Sequence, residues 1–159
     1  MKAETLFLSQ VAVVAGFGDV GKGCAKSLSA YGARVIITEV DPITALQAAM
    51  AGYKVTTMDE ACKEGHIFVT ATGCKNVILE RHLLKMRQGA VVCNIGHFDV
   101  EVDWKFLSDH CQVEEVSSGC DKCTLPNGNF VLVLGKGQVC CYVIDIFNTG
   151  AVSRHFCDK

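Results

Sequence analysis

Apolar residues gather in short runs along this chain, each closed by glycine, a small polar residue or an acid. Val11-Ala12-Val13-Val14-Ala15 comes first, Arg34-Val35-Ile36-Ile37-Thr38 second, and Lys54–Thr56, His66–Thr70 and Ala90–Asn94 follow. Runs of this length, rich in valine and isoleucine and without strict polar alternation, predict strands covered on both faces. Helical stretches separate them. Asp41-Pro42 offers an N-cap and a first-turn proline for a helix through about Met50. Thr57-Met58-Asp59-Glu60 reads as a capping box, and a further helix is expected around Leu79–Met86. Strands alternating with helices imply right-handed crossovers and an α/β fold with a doubly wound parallel sheet.

The pattern changes after Asp103. Cys123–Leu125 and Phe130–Leu134 flank Pro126-Asn127-Gly128-Asn129, whose Asn-Gly pair favours the positive φ angles of a tight turn, so a C-terminal β-hairpin extension is expected. Gly135-Lys136-Gly137 then leads to another apolar run, Val139–Ile146, and the last dozen residues read as a loosely packed terminus. No repeat, low-complexity stretch or long linker divides the chain. One domain over residues 1–159 is expected: a lead over 1–10, a core over 11–107 and a distinct C-terminal part over 108–159.

Composition narrows the range of partners. A chain of 159 residues suits a single core. Half of its residues are hydrophobic, yet no window reaches the ~20 apolar residues of a membrane span. Glu4 and Gln10 interrupt an opening that otherwise resembles a weak signal peptide, so secretion is not expected. With a net charge of −2 and dispersed Lys and Arg, the chain has no footprint for nucleic acid or an anionic membrane, which leaves small molecules. Ten cysteines without a secretory signal point to a reducing compartment, where most serve as small buried hydrophobes.

The chemistry begins directly after the first run, at Gly16-Phe17-Gly18-Asp19-Val20-Gly21. Glycines at this spacing also mark ordinary turns. Here they stand between a strand and a helix, with a second strand and an acid to follow, which is the order a dinucleotide requires. Gly16 permits a tight exit from the strand, Gly18 lets backbone approach a pyrophosphate, and Gly21 brings helix and strand together. Amides at the helix start, including those of Asp19 and Val20, favour negative charge. Glu39 follows Gly21 by 18 positions, near the spacing of about 20 for the acid that accepts from adenosine ribose hydroxyls. A carboxylate there repels a 2′-phosphate, so NAD is expected rather than NADP.

Two more loops belong to the carboxyl ends of strands, Thr70-Ala71-Thr72-Gly73-Cys74 and Asn94-Ile95-Gly96-His97-Phe98-Asp99. In a doubly wound sheet such loops line the ligand crevice, and His97 is a candidate for substrate-side proton exchange. Cys120-x-x-Cys123 and Cys140-Cys141 have the residue types for zinc, but the second pair lacks the two-residue spacer, and no metal is expected. His66, His82 and His110 show no partner spacing that would give them a role.

Three segments carry a family resemblance: Val11 through Ala25, Gly32 through Ile43, and Val92 through Glu101. They closely resemble the NAD-binding domain of S-adenosylhomocysteine hydrolase (adenosylhomocysteinase). The likeness runs almost without gaps from about Val11 to Leu107 and weakens beyond His110. It implies a Rossmann-type sheet in a cytoplasmic enzyme of the methyl cycle, which reversibly converts S-adenosylhomocysteine to adenosine and homocysteine. In that family NAD takes hydride from the ribose 3′ position, the resulting ketone acidifies the 4′ hydrogen, and thiol elimination, water addition and hydride return follow. The resemblance assigns the glycine loop with Asp19 and Val20 to the pyrophosphate and Glu39 to the adenosine ribose. It likewise implies that Thr72-Gly73 and Ile95-Gly96-His97 approach the nicotinamide ribose and the substrate.

The chain departs from the family at three points. It begins about ten residues before the first cofactor strand, where the family places a substrate domain upstream. Thr44 stands where the family has an asparagine ribose contact. After Gly137 the sequence runs Gln138-Val139-Cys140-Cys141-Tyr142, without the family's substrate-side Gly-His. The expectation is NAD binding without turnover by this chain alone, S-adenosylhomocysteine or adenosine binding only if a substrate domain is supplied, and a homo-oligomer as one assembly. The alternative is a non-enzymatic partner of full-length family members, which an interaction measurement with such a relative would distinguish.

Overall fold

The computed structural model describes residues 9–96 and 100–138. Residues 1–8 of the N-terminal lead, His97, the run Val139–Ile146 with Cys140 and Cys141, and the terminus lie outside the described residues. β1 (Val11–Ala15), β2 (Arg34–Thr38), β3 (Lys54–Val55), β4 (Ile67–Thr70) and β5 (Ala90–Asn94) match the predicted strands closely. β6 (Gln112–Ser117), β7 (Cys120–Thr124) and β8 (Phe130–Leu134) complete one eight-stranded sheet of order β3-β2-β1-β4-β5-β8-β7-β6.

The sheet is mixed rather than wholly parallel. From β3 to β8 the neighbours run parallel, while β7 pairs antiparallel with both β8 and β6. The expected hairpin is therefore no appendage. β8 occupies the sixth parallel position beside β5, with Ala90 opposite Val131, and carries the other two strands outward. Its turn is also different: Gly128 has φ +82, but Asn127 does not enter the positive-φ region. Asn127 instead donates to the Leu84 carbonyl and accepts from the Asn129 amide, which ties the turn to the segment before β5.

Side chains from alternate positions of the strands feed two cores. Val13, Ile36, Phe68, Val92 and Val131 point to one face, while Ala12, Val14, Ile37, Val69 and Cys93 point to the other. α1 (Asp19–Ala30) and α2 (Pro42–Met50) cover the second face, α1 through a stripe of Gly21, Cys24, Ala25 and Leu28. α3 (Met58–Glu64), α4 (Glu80–Leu83) and α5 (Trp104–His110) cover the first with Ala61, Leu83, Phe106 and Leu107.

The Asp41 cap forms as expected, with its carboxylate accepting from the Thr44 amide at 2.8 Å. Thr57 does occupy the N-cap of α3, but its side chain makes no capping bond, and Glu60 pairs with Lys63 instead. α4 is shorter than expected because the chain tightens after Leu83, with Lys85 and Met86 bonding three residues back. Among the described residues no helix is long and apolar enough to cross a membrane.

Candidate functional site

The carboxyl ends of β1, β2 and β4 meet at a cleft of about 560 Å³. Gly16 leaves β1 with φ +94, its amide donating to the Thr38 carbonyl at 2.8 Å. A Cβ there would stand 2.7 Å from the Ala71 carbonyl oxygen, and one at Gly21 only 2.0 Å from the Gly16 oxygen. Both glycines are demanded by close backbone. At Gly18 the added atom would meet nothing within 4 Å, so the space before the helix is open. Gly18 is the N-cap of α1 and no side chain caps that end. The first amides of α1 thus lack intrahelical acceptors beside an open cradle, a donor set suited to a phosphate pair.

Glu39 lines the same cleft, its carboxylate beside the glycine loop. Its Oε2 accepts from the Phe17 amide at 2.9 Å, and its Oε1 accepts from the amides of Val40 and Asp41 at 2.8 and 3.1 Å. Three donors fix the carboxylate, one of them from the glycine loop, and Oε2 keeps a lone pair for another donor. The acid is therefore more than a solvated charge at a strand end. Thr44 also borders the cleft, but its hydroxyl donates to Asp41 at 2.6 Å and is engaged in the cap of α2.

Gly16, Gly18, Glu39, Thr44 and Thr72 line the cleft itself. Asp19, Val20 and Gly21 form the start of α1, while Gly73, Ile95 and Gly96 belong to the loops after β4 and β5 and do not line it. Asn94, fully buried, joins these loops: its Oδ1 accepts from the Thr70 hydroxyl and the Gly96 amide, and its Nδ2 donates to the Gly137 carbonyl. Cys120 and Cys123 emerge on opposite faces of β7 and do not converge. Burial pushes the Cys123 thiol up to about 12, consistent with an inert apolar role.

Three residues here carry no local signal in the sequence. Asn94 and Glu101 fall inside the segment Val92 through Glu101, but nothing in the residue types announces buried anchors. His82 has no partner spacing in the sequence, yet it lines the cleft beside Asp59 and Arg81. Its Nδ1 accepts from the Leu79 amide at 3.1 Å, which leaves the proton on Nε2, a buried atom that lies 3.5 Å from Asp59 Oδ1 without a hydrogen-bond partner among the described residues.

Burial, aided by the charge of Arg81, lowers the His82 pKa below 6.5, and burial acts on His66 in the same direction. In the unfolded chain these imidazoles take protons at a higher pH than in the folded one. Their contribution is complete above the unfolded value and is lost as pH falls through the folded one. The urea midpoint is expected to drop between about pH 7 and pH 5. His82→Asn, whose Oδ1 replaces Nδ1 as acceptor, should flatten that slope.

Comparison with known proteins adds to this geometry. A family profile described as S-adenosyl-L-homocysteine hydrolase, NAD binding domain, matches residues 1–144. A dipicolinate synthase polypeptide from Bacillus halodurans superposes with a TM-score of 0.59 at 16% identity, over 64% of this chain and 36% of that one. The pyruvate reductase of Chlamydomonas reinhardtii gives 0.57 at 20% identity, over 65% and 31%. The NAD complex of a D-isomer specific 2-hydroxyacid dehydrogenase from Lactobacillus delbrueckii ssp. bulgaricus gives 0.52 at 26% identity, over 65% and 33%. The matched region spans about a third of each of these structures. At such identities the likeness establishes the Rossmann-type fold.

Proposed function

Since this chain belongs to the S-adenosyl-L-homocysteine hydrolase family through its NAD-binding domain, we propose that NAD lies along the cleft from Glu39 past the glycine loop to the loops after β4 and β5. The amides of Gly18, Asp19 and Val20 hold the pyrophosphate, with Gly16 and Gly21 shaping their approach. Glu39 accepts from the adenosine ribose and Thr44 borders it. Thr72, Gly73, Ile95 and Gly96 form the nicotinamide side, and His97, outside the described residues, is the substrate-side candidate. Bound NAD supplies a reversible hydride acceptor.

The chain's own residues orient the cofactor and shield one of its faces. The reaction served is the reversible hydrolysis of S-adenosylhomocysteine to adenosine and homocysteine, in the cytoplasm, with this domain forming one wall of the reaction cleft. Val40 lines the cleft and is 95% exposed, which supports an open second side and NAD binding without turnover by these residues alone. The supporting observation for the site is the Glu39 carboxylate, anchored to the Phe17 amide and still able to accept.

Isothermal titration with NAD tests the reading. Binding is expected, and Glu39→Ala should weaken it about 10- to 100-fold through lost charged hydrogen bonds. Absence of binding at about millimolar NAD, or an unchanged affinity in the variant, would contradict it. Association with full-length relatives is a second reading, favoured by the exposed Ile43, Leu46 and Met50 along α2. Light scattering of the same samples mixed with such a relative tests that reading, and no mixed species would remove it.

A further inference from the structure

Behind the cleft lies a carboxylate that does not line it. Glu101 is fully buried, and both of its oxygens are engaged by the loop after β4. Oε2 accepts from the Thr72 amide at 3.1 Å and the Thr72 hydroxyl at 2.9 Å, while Oε1 accepts from the Gly73 amide at 2.7 Å. Its backbone carbonyl accepts from the amides of Val77 and Ile78, which fixes the residue itself. The loop after β5 closes on the same group. A Cβ at Gly96 would fall 1.6 Å from Oε1, so the space left by that glycine is the space the carboxylate fills.

One side chain therefore sets the relation between the two loops. It also decides what Thr72 can offer. The hydroxyl spends its proton on Glu101 and accepts from the Cys74 amide at 3.0 Å, so its remaining capacity is as an acceptor. Such an atom suits the hydroxyl of a sugar and is wasted on a second acceptor. Among the described residues none of the hydrogen bonds to the Glu101 carboxylate reaches the glycine loop or Glu39.

We propose that Glu101 is a positioning residue for the nicotinamide half of NAD, acting through Thr72, Gly73 and Gly96 and leaving the adenosine half untouched. This rests on the reading that NAD runs towards those loops. Glu101→Gln keeps the volume but places an amide N–H against one of the backbone donors, which orphans that donor and shifts the loop. Gly96→Ala attacks the same contact from the other side by displacing Oε1.

The test compares NAD with AMP, which carries only the adenosine end, on the full chain by titration calorimetry. In both variants AMP affinity is expected to stay within about twofold while NAD affinity falls about tenfold or more. Parallel loss of both ligands, or no loss of NAD, would overturn the proposal. Hydrogen exchange on the unaltered chain gives a readout that needs no variant to fold. The Thr72 and Gly73 amides should be protected before NAD is added, and exchange at free-loop rates would equally overturn it. A wild-type chain that binds AMP but gains nothing from the rest of NAD would refute the reading of the cleft itself, and the Glu101 proposal with it.

Discussion

Replacing Gly21 with alanine is expected to reduce NAD affinity about a hundredfold or more and to destabilise the fold by about 1–3 kcal/mol. The added Cβ would lie 2.0 Å from the Gly16 carbonyl oxygen and 2.8 Å from its carbon. Both are backbone atoms, and the Gly16 amide is itself bonded to Thr38 in β2, so no side-chain rotation relieves the overlap. The start of α1 must withdraw by more than an ångström. That movement shifts the unpaired amides of the first turn away from the place where a pyrophosphate meets them, and charged hydrogen bonds weaken steeply with distance.

Gly23, two positions along the same helix, provides the contrast. A Cβ there meets nothing within 4 Å, and alanine favours a helix interior by up to about 1 kcal/mol over glycine. Gly23→Ala should therefore bind NAD like the wild type and melt at the same or a higher temperature. Calorimetric titration with thermal melts, with and without NAD, reads both variants. Near-normal affinity in Gly21→Ala would remove the glycine loop from the pyrophosphate seat.

Legibility in the sequence followed burial. β1, β2, β4 and β5 are buried on both faces, so their valine and isoleucine runs mark them without ambiguity. All six residues of β6 are exposed at the sheet edge, and Gln112-Val113-Glu114-Glu115-Val116-Ser117 accordingly carries no strand pattern. α5 has a readable Asp103 cap, whose carboxylate accepts from the Phe106 amide, but only two buried positions follow it, too few for a periodic stripe. The position of β8 beside β5 is a long-range pairing that no local spacing reveals. The same division holds at the site. The glycine loop and Glu39 are local features with a fixed order along the chain. Glu101 reaches Thr72 across 29 positions, and only three-dimensional packing shows that its carboxylate occupies the space left by Gly96.

Phe68→Ala should produce the largest loss of stability, about 3–5 kcal/mol, a large share of the roughly 5–15 kcal/mol that holds a domain together. Phe68 is fully buried in the middle of β4, opposite Val13 of β1 and Val92 of β5. Its ring reaches over Gly65, where even a Cβ would stand 2.4 Å from Cζ, so the aromatic fills a space that the glycine leaves open. Strands bonded on both sides of β4 prevent the backbone from closing the cavity, which places the expected cost in the upper part of the range for such truncations. At this chain length the melting temperature should fall by roughly 10 °C. The cleft lies beyond the carboxyl end of the strand, on atoms that Phe68 does not support directly. Saturating NAD should consequently raise the melting temperature of Phe68→Ala by nearly the same free-energy increment as the wild type, because that increment depends only on ligand concentration and affinity of the folded form. In Gly21→Ala the increment should vanish while most of the stability remains. An equal loss of the NAD increment in both variants would mean that the core and the cofactor seat are one cooperative unit, contrary to the separation argued from these contacts.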